Sequence, residues 1–371
     1  MADDLLHGST GPAARDELDA VIAAGAGGAV AFAIALATMW GTTQPIAGDR
    51  IYADASVGQL AAFTTGGAAA VSFVVSRMHF LRRTSTAREG RAAPRLERSV
   101  RVLSVVALAI VCFALGYIGA LTTASVFQSG FVGLELDAIG GAIACGLAAA
   151  AAGYVAHPLG NDVSTRSIGT LVPMFLAVGV IFSMLTASHE HWWQLHFSEL
   201  GAGGGISGLA FNGTLIVSGL LVASMGAHVR HDLHRIAAAG SRDRERWVGH
   251  LLGIVGGLML LVGIVRVDVA EWLHIVFASG MVAVFAVLCL LLPRLAPHLP
   301  KAVHVVSIAA VIGIVVELVL WWPVGYYNFT AFELAAAGII FVWLSVFVRA
   351  LAAATDDLDS TRHPEGGKVG A

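Results

Sequence analysis

The sequence predicts an all-α polytopic integral membrane protein with about ten transmembrane helices and both termini in the cytoplasm. Of its 371 residues, 57% are hydrophobic and only 13% are charged, whereas a soluble domain carries about 25% charged residues. Ten stretches are each apolar over the roughly 20 residues that a helix needs to cross the hydrocarbon. Because lipid offers no partners to backbone polar groups, such stretches fold as helices.

The predicted spans form two groups. They lie near 20–40, 57–76, 102–124, 132–156, 168–187, 206–227, 247–265, 270–292, 302–322 and 330–350. The segment 157–162 contains Pro, Gly and Asn and predicts a turn between the fourth and fifth spans. We therefore expect a four-helix membrane part over 20–156 and a six-helix membrane domain over 168–350.

The two ends of the chain are polar. Residues 1–19 mix Asp, Glu, Gly and Pro, which predicts a solvated cytoplasmic arm, and they lack the basic start of a cleavable signal peptide. Residues 355–371 have no apolar periodicity, which predicts a disordered cytoplasmic tail. The three cysteines all lie inside apolar runs, so we expect them to be small core residues without disulfides.

The distribution of arginine predicts the orientation. The loop 77–101 holds eight Arg and the loop 230–246 holds five. With both loops inside, 20 of the 22 basic residues lie on the cytoplasmic side, as the positive-inside rule requires, and Arg50 and Arg266 lie outside. The Arg-rich composition is typical of GC-rich bacteria, so we expect the inner (plasma) membrane. Anionic headgroups are the expected partners of these loops, and nucleic acid is not.

Polar side chains collect on the predicted outer side. The loop 189–201 is polar and aromatic, and several carboxyl and imidazole groups lie near the outer ends of spans. Each ionisable group in hydrocarbon costs about 2.5–3.5 kcal/mol, so it normally faces a partner or a wet cavity. We therefore expect an outward-facing polar pocket. Its candidate residues include Glu199, Glu271, His274, Glu317, Glu333 and the in-span amide Asn212, although hydrogen bonding between helices would also explain an amide.

A divalent metal such as zinc is a second expectation for this side. Glu271 and His274 have i, i+3 spacing, which places both on one helical face. Imidazole and carboxylate groups suit zinc, and the candidate ligands are His189, His191, His196, Glu271 and His274. The alternative is that the loop histidines lie in water while His274 hydrogen-bonds a neighbouring helix. The absence of a recognisable ligand spacing favours this alternative.

Two further patterns have structural explanations. Gly253, Gly256, Gly257 and Gly263 in the seventh span predict a surface for close helix packing. Tryptophan and tyrosine at the outer span ends predict an aromatic belt at the headgroup level, and they are Trp192, Trp193, Trp321, Trp322, Tyr326 and Tyr327.

At Ser198-Glu199-Leu200-Gly201, followed by Phe211-Asn212-Gly213-Thr214, the sequence resembles the DUF998 group of bacterial membrane proteins. It is more distantly similar to the Frag1/DRAM/Sfk1 family. A later His-bearing span and a last span opening with Phe332-Glu333 are also similar. The resemblance covers roughly 168–350 and implies a six-helix bundle whose relatives are linked to lipid handling. The family-type positions that it implies are Ser198, Glu199, Gly201, Asn212, His274 and Glu333, so Ser198 joins the candidate pocket.

Three functions agree with these patterns. The favoured one is binding, sensing or handling of membrane lipid through the outward polar pocket. The second is an intramembrane hydrolase, with or without a metal, that uses Glu271, His274 and loop histidines. The third is a proton-coupled secondary transporter that uses Glu317 and Glu333. No complete catalytic constellation is visible in the sequence, so whether the protein is an enzyme stays open.

Overall fold

Ten long α-helices account for the predicted spans. This computed structural model describes residues 12–48, 55–85, 95–161, 163–236 and 242–362. Within them, ten helices are long and apolar enough to cross a membrane, which confirms a multi-pass, all-α membrane protein. The helices are α1 Pro12–Thr38, α2 Val57–Ser85, α3 Arg95–Gly130, α4 Ala138–Asn161, α5 Thr165–Leu185, α6 Ile206–Ile236, α7 Arg242–Ile264, α8 Glu271–Leu295, α9 Lys301–Trp321 and α10 Phe329–Arg362.

The first helix begins earlier than the sequence predicts. Helix α1 starts at Pro12, inside the segment 1–19 that we expected to be a solvated arm. Arg83 of α2 holds its first turns, because the guanidinium nitrogens lie 3.0 Å from carboxylate oxygens of both Asp16 and Asp19.

The last helix ends later than the sequence predicts. Helix α10 continues to Arg362, so the first part of the tail 355–371 is helical. A helix that packing has already nucleated gains one hydrogen bond for each added residue, and it can therefore extend past its apolar stretch. The expectations for residues 1–11 and 363–371 fall outside the described residues.

The predicted turn at 157–162 was wrong as far as Asn161. Helix α4 runs through the proline of this segment without ending. Gly160 packs so closely on α2 that a Cβ atom there would lie 2.6 Å from the carbonyl oxygen of Phe73. The hydroxyl of Ser76 on α2 also donates to Asn161 Oδ1 over 3.0 Å. These contacts stabilise the last turn of α4 against the local turn preference.

The chain divides into two compact units, Met1–Val163 and Ser164–Ala371. In the first unit α2 packs against α1, α3 and α4. Two-residue strands, β1 Gln44–Pro45 and β2 Glu135–Leu136, pair antiparallel between its helices. Many of its buried residues are alanines and glycines, which let helix backbones approach closely.

The second unit is a closed bundle of six helices. Each helix from α5 to α10 contacts the next, and α10 also contacts α5. The unit opens with a capping box, in which Ser164 and Ser167 each accept a hydrogen bond from the backbone N–H of the other. Trp343 of α10 is buried against the ring of Phe285, and its indole N–H donates to Ser307 Oγ over 2.8 Å. The indole therefore has both the apolar surroundings and the acceptor that burial requires.

Glycines bring α6 and α7 into backbone contact. A Cβ atom at Gly256 would lie 2.5 Å from the carbonyl oxygen of Gly219 and would overlap the backbone of Ala223. Near the C-terminal end of α7, a Cβ atom at Gly263 would lie 2.8 Å from the carbonyl oxygen of Asn212. A Cβ atom at Gly257, in contrast, would meet no heavy atom within 4 Å. The predicted small-residue surface is thus used on one side of α7.

We expect Gly256→Ala to destabilise the protein and Gly257→Ala to leave it unchanged or slightly more stable. The first change forces two helix backbones apart, and overpacking of this kind costs about 1–3 kcal/mol. The second adds only helix propensity, worth up to about 1 kcal/mol. Apparent unfolding midpoints of the detergent-purified variants measure the difference. Equal midpoints for the two variants would contradict close packing at Gly256.

Candidate functional site

The loop between α5 and α6 is fixed at both of its ends. The hydroxyls of Ser183 on α5 and Ser207 on α6 lie 2.9 Å apart, and both residues are buried. Ser207 Oγ also lies 3.1 Å from the carbonyl oxygen of Leu200, within the short 3-10 helix Phe197–Gly201. This helix, called here the Phe197–Gly201 segment, is therefore tied to the start of α6.

Asn212 of α6 holds the last residue of the segment. Its side-chain Nδ2 donates to the carbonyl oxygen of Gly201 over 2.9 Å. A Cβ atom at Gly201 would lie 2.5 Å from Asn212 Oδ1 and 2.9 Å from Phe211 Cδ1. Only glycine fits at this point. The in-span amide thus bonds the backbone of a loop and not another helix.

His274 of α8 holds the second residue of the segment. The imidazole is 4% exposed and lies in the first turn of α8. Its Nδ1 lies 2.7 Å from the carbonyl oxygen of Val265, and its Nε2 lies 2.8 Å from Ser198 Oγ. A carbonyl oxygen only accepts, so Nδ1 carries the proton of the neutral ring. Nε2 is then the acceptor for the hydroxyl proton of Ser198.

The carbonyl of Val265 lies at the C-terminal end of α7. Helix α7 ends at Ile264, and the Val265 N–H still donates to Leu261 over 2.8 Å. The Val265 oxygen is therefore one of the last carbonyls of the helix, where the partial charge of the helix dipole is negative. Such an oxygen accepts from the His274 Nδ1–H and orients the ring. The three groups form a chain from the Ser198 hydroxyl through the His274 imidazole to the end of α7.

Helix α10 holds the front of the segment. The Phe197 N–H donates to Glu333 Oε2 over 2.6 Å. One turn earlier, Asn328 Nδ2 donates to the carbonyl oxygen of Trp193 over 2.6 Å, and Asn328 Oδ1 accepts from the Ala331 N–H at the helix start. The first turns of α10 thus bond the loop at two points four residues apart.

The connection between α7 and α8 also contacts the loop. Asp268 Oδ2 accepts a hydrogen bond from the Gly203 N–H over 3.1 Å. The Arg266 guanidinium, whose Nε lies 3.0 Å from Asp268 Oδ1, holds the pKa of the Asp268 carboxyl below its usual value. The carboxylate is therefore charged at neutral pH. Its ion pair also neutralises Arg266, the basic residue nearest to this site along the chain.

His196 lies just before the segment, where burial and nearby charged groups have opposing effects on its imidazole. Burial lowers the pKa of its imidazole; the Glu199 and Glu271 carboxylates act in the opposite direction, and His274 acts with burial. Its Nδ1 is buried, and no hydrogen-bond partner for it occurs among the described residues. The neutral form of His196 is favoured as a result.

The structure brings four candidate residues to one place. Ser198, Asn212, His274 and Glu333 all lie in, or hydrogen-bond to, the Phe197–Gly201 segment. The side chain of Glu199 is half-buried in the same segment. The remaining two candidates make no described hydrogen bond to this segment.

Glu271 and Glu317 are outside this pattern. Glu271 is exposed at the start of α8. Glu317 is half-buried on α9, and its backbone oxygen accepts from the hydroxyl of Tyr327 over 3.1 Å. No hydrogen bond in the described part of the chain joins either carboxyl to the segment. A proton-coupled pair of Glu317 and Glu333 thus has no described contact between its members.

The expected zinc ligands differ in their surroundings. His189 and His191 are exposed, and His274 uses both ring nitrogens in hydrogen bonds. Among the residues that the structure describes, no group of three or more His, Cys, Asp or Glu side chains is arranged to hold a metal ion. A zinc site stays a prediction of the sequence, and His274 instead makes the hydrogen bonds that the alternative predicted.

Comparison with known proteins gives a family match in the second unit. Residues 168–350 match the family described as protein of unknown function (DUF998). The predicted DUF998 resemblance is thereby confirmed over the six C-terminal spans, and the Frag1/DRAM/Sfk1 similarity stays a prediction. Searches of curated proteins and of solved structures gave no match. The DUF998-like unit contains the whole Phe197–Gly201 segment with its partners.

Sequence reasoning missed the backbone partners of this DUF998-like site. The Val265 carbonyl orients His274, and the Phe197 N–H binds Glu333, but neither group leaves a trace in residue type. Asn328 carried a usable signal, because an Asn directly before a span predicts an N-cap near the loop. The second hydrogen bond of Asn328, to the carbonyl oxygen of Trp193, could be recognised only from the structure.

We expect Gly201→Ala to disturb the site and Gly204→Ala to spare it. The first change places a methyl group against Asn212 Oδ1 and should cost roughly 1–3 kcal/mol as the loop moves away. A Cβ atom at Gly204 meets no heavy atom within 4 Å. Hydrogen exchange of the loop amides and apparent unfolding midpoints measure the effect. Wild-type exchange in Gly201→Ala would contradict the close packing.

Proposed function

We propose that the protein is a membrane-embedded serine hydrolase that acts on an ester or amide bond of a membrane lipid. The observation that carries the proposal is the chain from Ser198 Oγ through His274 to the Val265 carbonyl, with distances of 2.8 and 2.7 Å. A nucleophile within hydrogen-bond reach of a base, itself oriented by a third group, is the recurring arrangement of nucleophilic catalysis. The proposal unites lipid handling with hydrolysis.

The chemistry uses groups of this chain alone. Ser198 Oγ attacks the acyl carbonyl carbon while His274 Nε2 takes the hydroxyl proton. The tetrahedral intermediate collapses, the bond to the leaving alcohol or amine breaks, and His274 gives that group its proton. Water, deprotonated by the same nitrogen, then attacks the acyl-serine; the bond between the acyl carbon and Ser198 Oγ breaks, His274 returns the proton to Ser198, and the fatty acid is released. The Val265 carbonyl stabilises the imidazolium that exists between these proton transfers.

The depth of the site supports a lipid substrate. Helix α8 has 25 residues, and at 1.5 Å per residue it is about 38 Å long. The hydrocarbon is about 30 Å thick, so about 4 Å of helix protrudes at each end. His274 is the fourth residue of α8 and therefore lies close to the hydrocarbon boundary. The acyl linkages of lipids lie at the same depth.

The aromatic residues near this end of the unit support the same position. Trp321 stacks on Phe332 with 5.6 Å between ring centroids and also contacts Phe329. Trp322 and Tyr326 beside them are exposed. Amphipathic aromatic rings settle at the headgroup level, which is where a lipid-processing site would lie.

We place the protein in the bacterial inner membrane with this site facing outward. The support is the distribution of arginine, which gathers 20 of 22 basic residues on the opposite side. The Arg-rich loops there would bind anionic headgroups, at about 1 kcal/mol per basic residue near the surface. Residues 86–94 and 237–241 of those loops lie outside the described residues.

The orientation can be tested with two introduced cysteines. We expect Glu190→Cys, in the exposed loop, to react with a membrane-impermeant maleimide added to intact cells, whereas Asp356→Cys, at the end of α10, should react only after lysis. The native cysteines Cys112, Cys145 and Cys289 are buried. The reverse pattern of labelling would overturn the outward orientation.

The hydrolase proposal predicts covalent labelling of one serine. We expect a lipid-like fluorophosphonate to phosphonylate Ser198 Oγ with loss of fluoride, as peptide mass spectrometry would show. Ser198→Ala should abolish labelling, and His274→Ala should slow it by about 10²–10⁴-fold because the general base is lost. Ser188→Ala is the matched control, since Ser188 is an exposed serine of the same loop.

The outcome also separates catalysis from a structural bond. If the Ser198–His274 hydrogen bond only fastens the loop, Ser198→Ala will lower stability while the wild-type protein shows no labelling and releases no fatty acid from native lipids. That result would remove the hydrolase function. Labelling at Ser188 or any other serine in place of Ser198 would do the same.

A further inference from the structure

Glu333 is a carboxyl-bearing residue inside a predicted membrane span, and the proposed chemistry does not use it. Such groups are rare in spans because they are costly to insert, and they normally have a specific partner. Here the partner is the Phe197 N–H, which donates to Glu333 Oε2 over 2.6 Å. Phe197 is the first residue of the 3-10 helix and directly precedes Ser198.

We propose that Glu333 is a positioning residue that holds the Ser198 hydroxyl in register with His274. This inference rests on the proposed hydrolase function. The N–H groups of the first turn of a helix have no partner within it, so the front of the 3-10 helix needs an external acceptor. The carboxyl oxygen of Glu333 supplies this acceptor whether or not the group is ionised, and the carbonyl oxygen of a glutamine could supply it as well.

The same helix prevents the loop from sliding. Asn328 bonds Trp193 at 2.6 Å, and Glu333 bonds Phe197 at 2.6 Å, so α10 fixes both ends of a five-residue stretch. Ser198 follows that stretch directly. Its distance of 2.8 Å from His274 Nε2 therefore depends on the position of α10. A displacement of about 1 Å in a reacting group can reduce a rate by about 10²-fold.

The test compares two substitutions in the full-length protein. Glu333→Gln keeps a carbonyl oxygen that can accept from the Phe197 N–H, whereas Glu333→Ala removes the acceptor. We expect the rate of fluorophosphonate labelling at Ser198 to fall by about 10–100-fold in Glu333→Ala. The rate in Glu333→Gln should stay within about threefold of wild type. Glu190→Ala, an exposed carboxyl of the same loop, is the matched control and should label at the wild-type rate.

Hydrogen exchange supplies a readout that needs no activity. Exchange of the Phe197 amide should quicken at least tenfold in Glu333→Ala and stay close to wild type in Glu333→Gln and Glu190→Ala. Faster exchange together with slower labelling in the alanine variant alone, with rescue by glutamine, is the expected result. General unfolding would be recognised by a parallel rise in exchange throughout the buried part of α6.

Failure of this inference can be distinguished from failure of the proposed function. If wild type labels at Ser198 and Glu333→Ala labels equally fast, Glu333 does not position the serine, and the hydrolase proposal stands. If the labelling rate of Glu333→Gln falls as far as that of Glu333→Ala, an accepting oxygen at this position does not position the serine, and the inference is again overturned. If wild type does not label at all, the hydrolase proposal fails, and the positioning role fails with it.

Discussion

Hydrogen bonds from three spanning helices to the backbone and hydroxyl of one loop are the constraint on which the site depends. A helix satisfies its own N–H and C=O groups, but an irregular segment at the edge of a bilayer must find partners elsewhere. Asn212, His274 and Glu333 supply them to the Phe197–Gly201 segment from α6, α8 and α10. These three side chains together fix the segment from three directions.

The packing of α6 against α7 determines the positions of the groups that make these hydrogen bonds. Gly263 lets the end of α7 approach the start of α6, where a Cβ atom would lie 2.8 Å from the Asn212 carbonyl oxygen. Two residues later, the Val265 carbonyl orients His274. The contact of α6 with α7 therefore sets the positions of two groups at once, the amide that holds Gly201 and the carbonyl that holds the imidazole. The site consists of loop and helix-end atoms, so its rigidity depends on this glycine contact between α6 and α7.

The sequence predicted the parts of this structure that rest on transfer free energy. Ten apolar stretches gave ten helices, and the polar residues chosen as candidates included three that converge on the Phe197–Gly201 segment, Asn212, His274 and Glu333. Residue type could not reveal the Val265 carbonyl or the Phe197 N–H, because every residue carries the same backbone groups. It also failed near Asn161, where contacts with α2 outweighed a local turn preference. Hydropathy thus predicts where helices lie, and packing decides which polar atoms meet.

A backbone carbonyl in place of an acidic third group suits this location. A carboxylate beside His274 would have to be buried near hydrocarbon, at a cost of several kcal/mol. The end of α7 offers about half a negative charge on carbonyls that no residue of the helix can use. It orients the imidazole, and in the proposed mechanism it would stabilise the transient imidazolium, without placing a full charge in a poorly solvated position. A neutral acceptor orients the imidazole more weakly than a carboxylate would. The Ser198 hydroxyl must therefore be held in place by contacts of its own backbone. Under the proposed function, the bond from the Phe197 N–H to the Glu333 carboxyl of α10 supplies this hold, because Phe197 directly precedes Ser198.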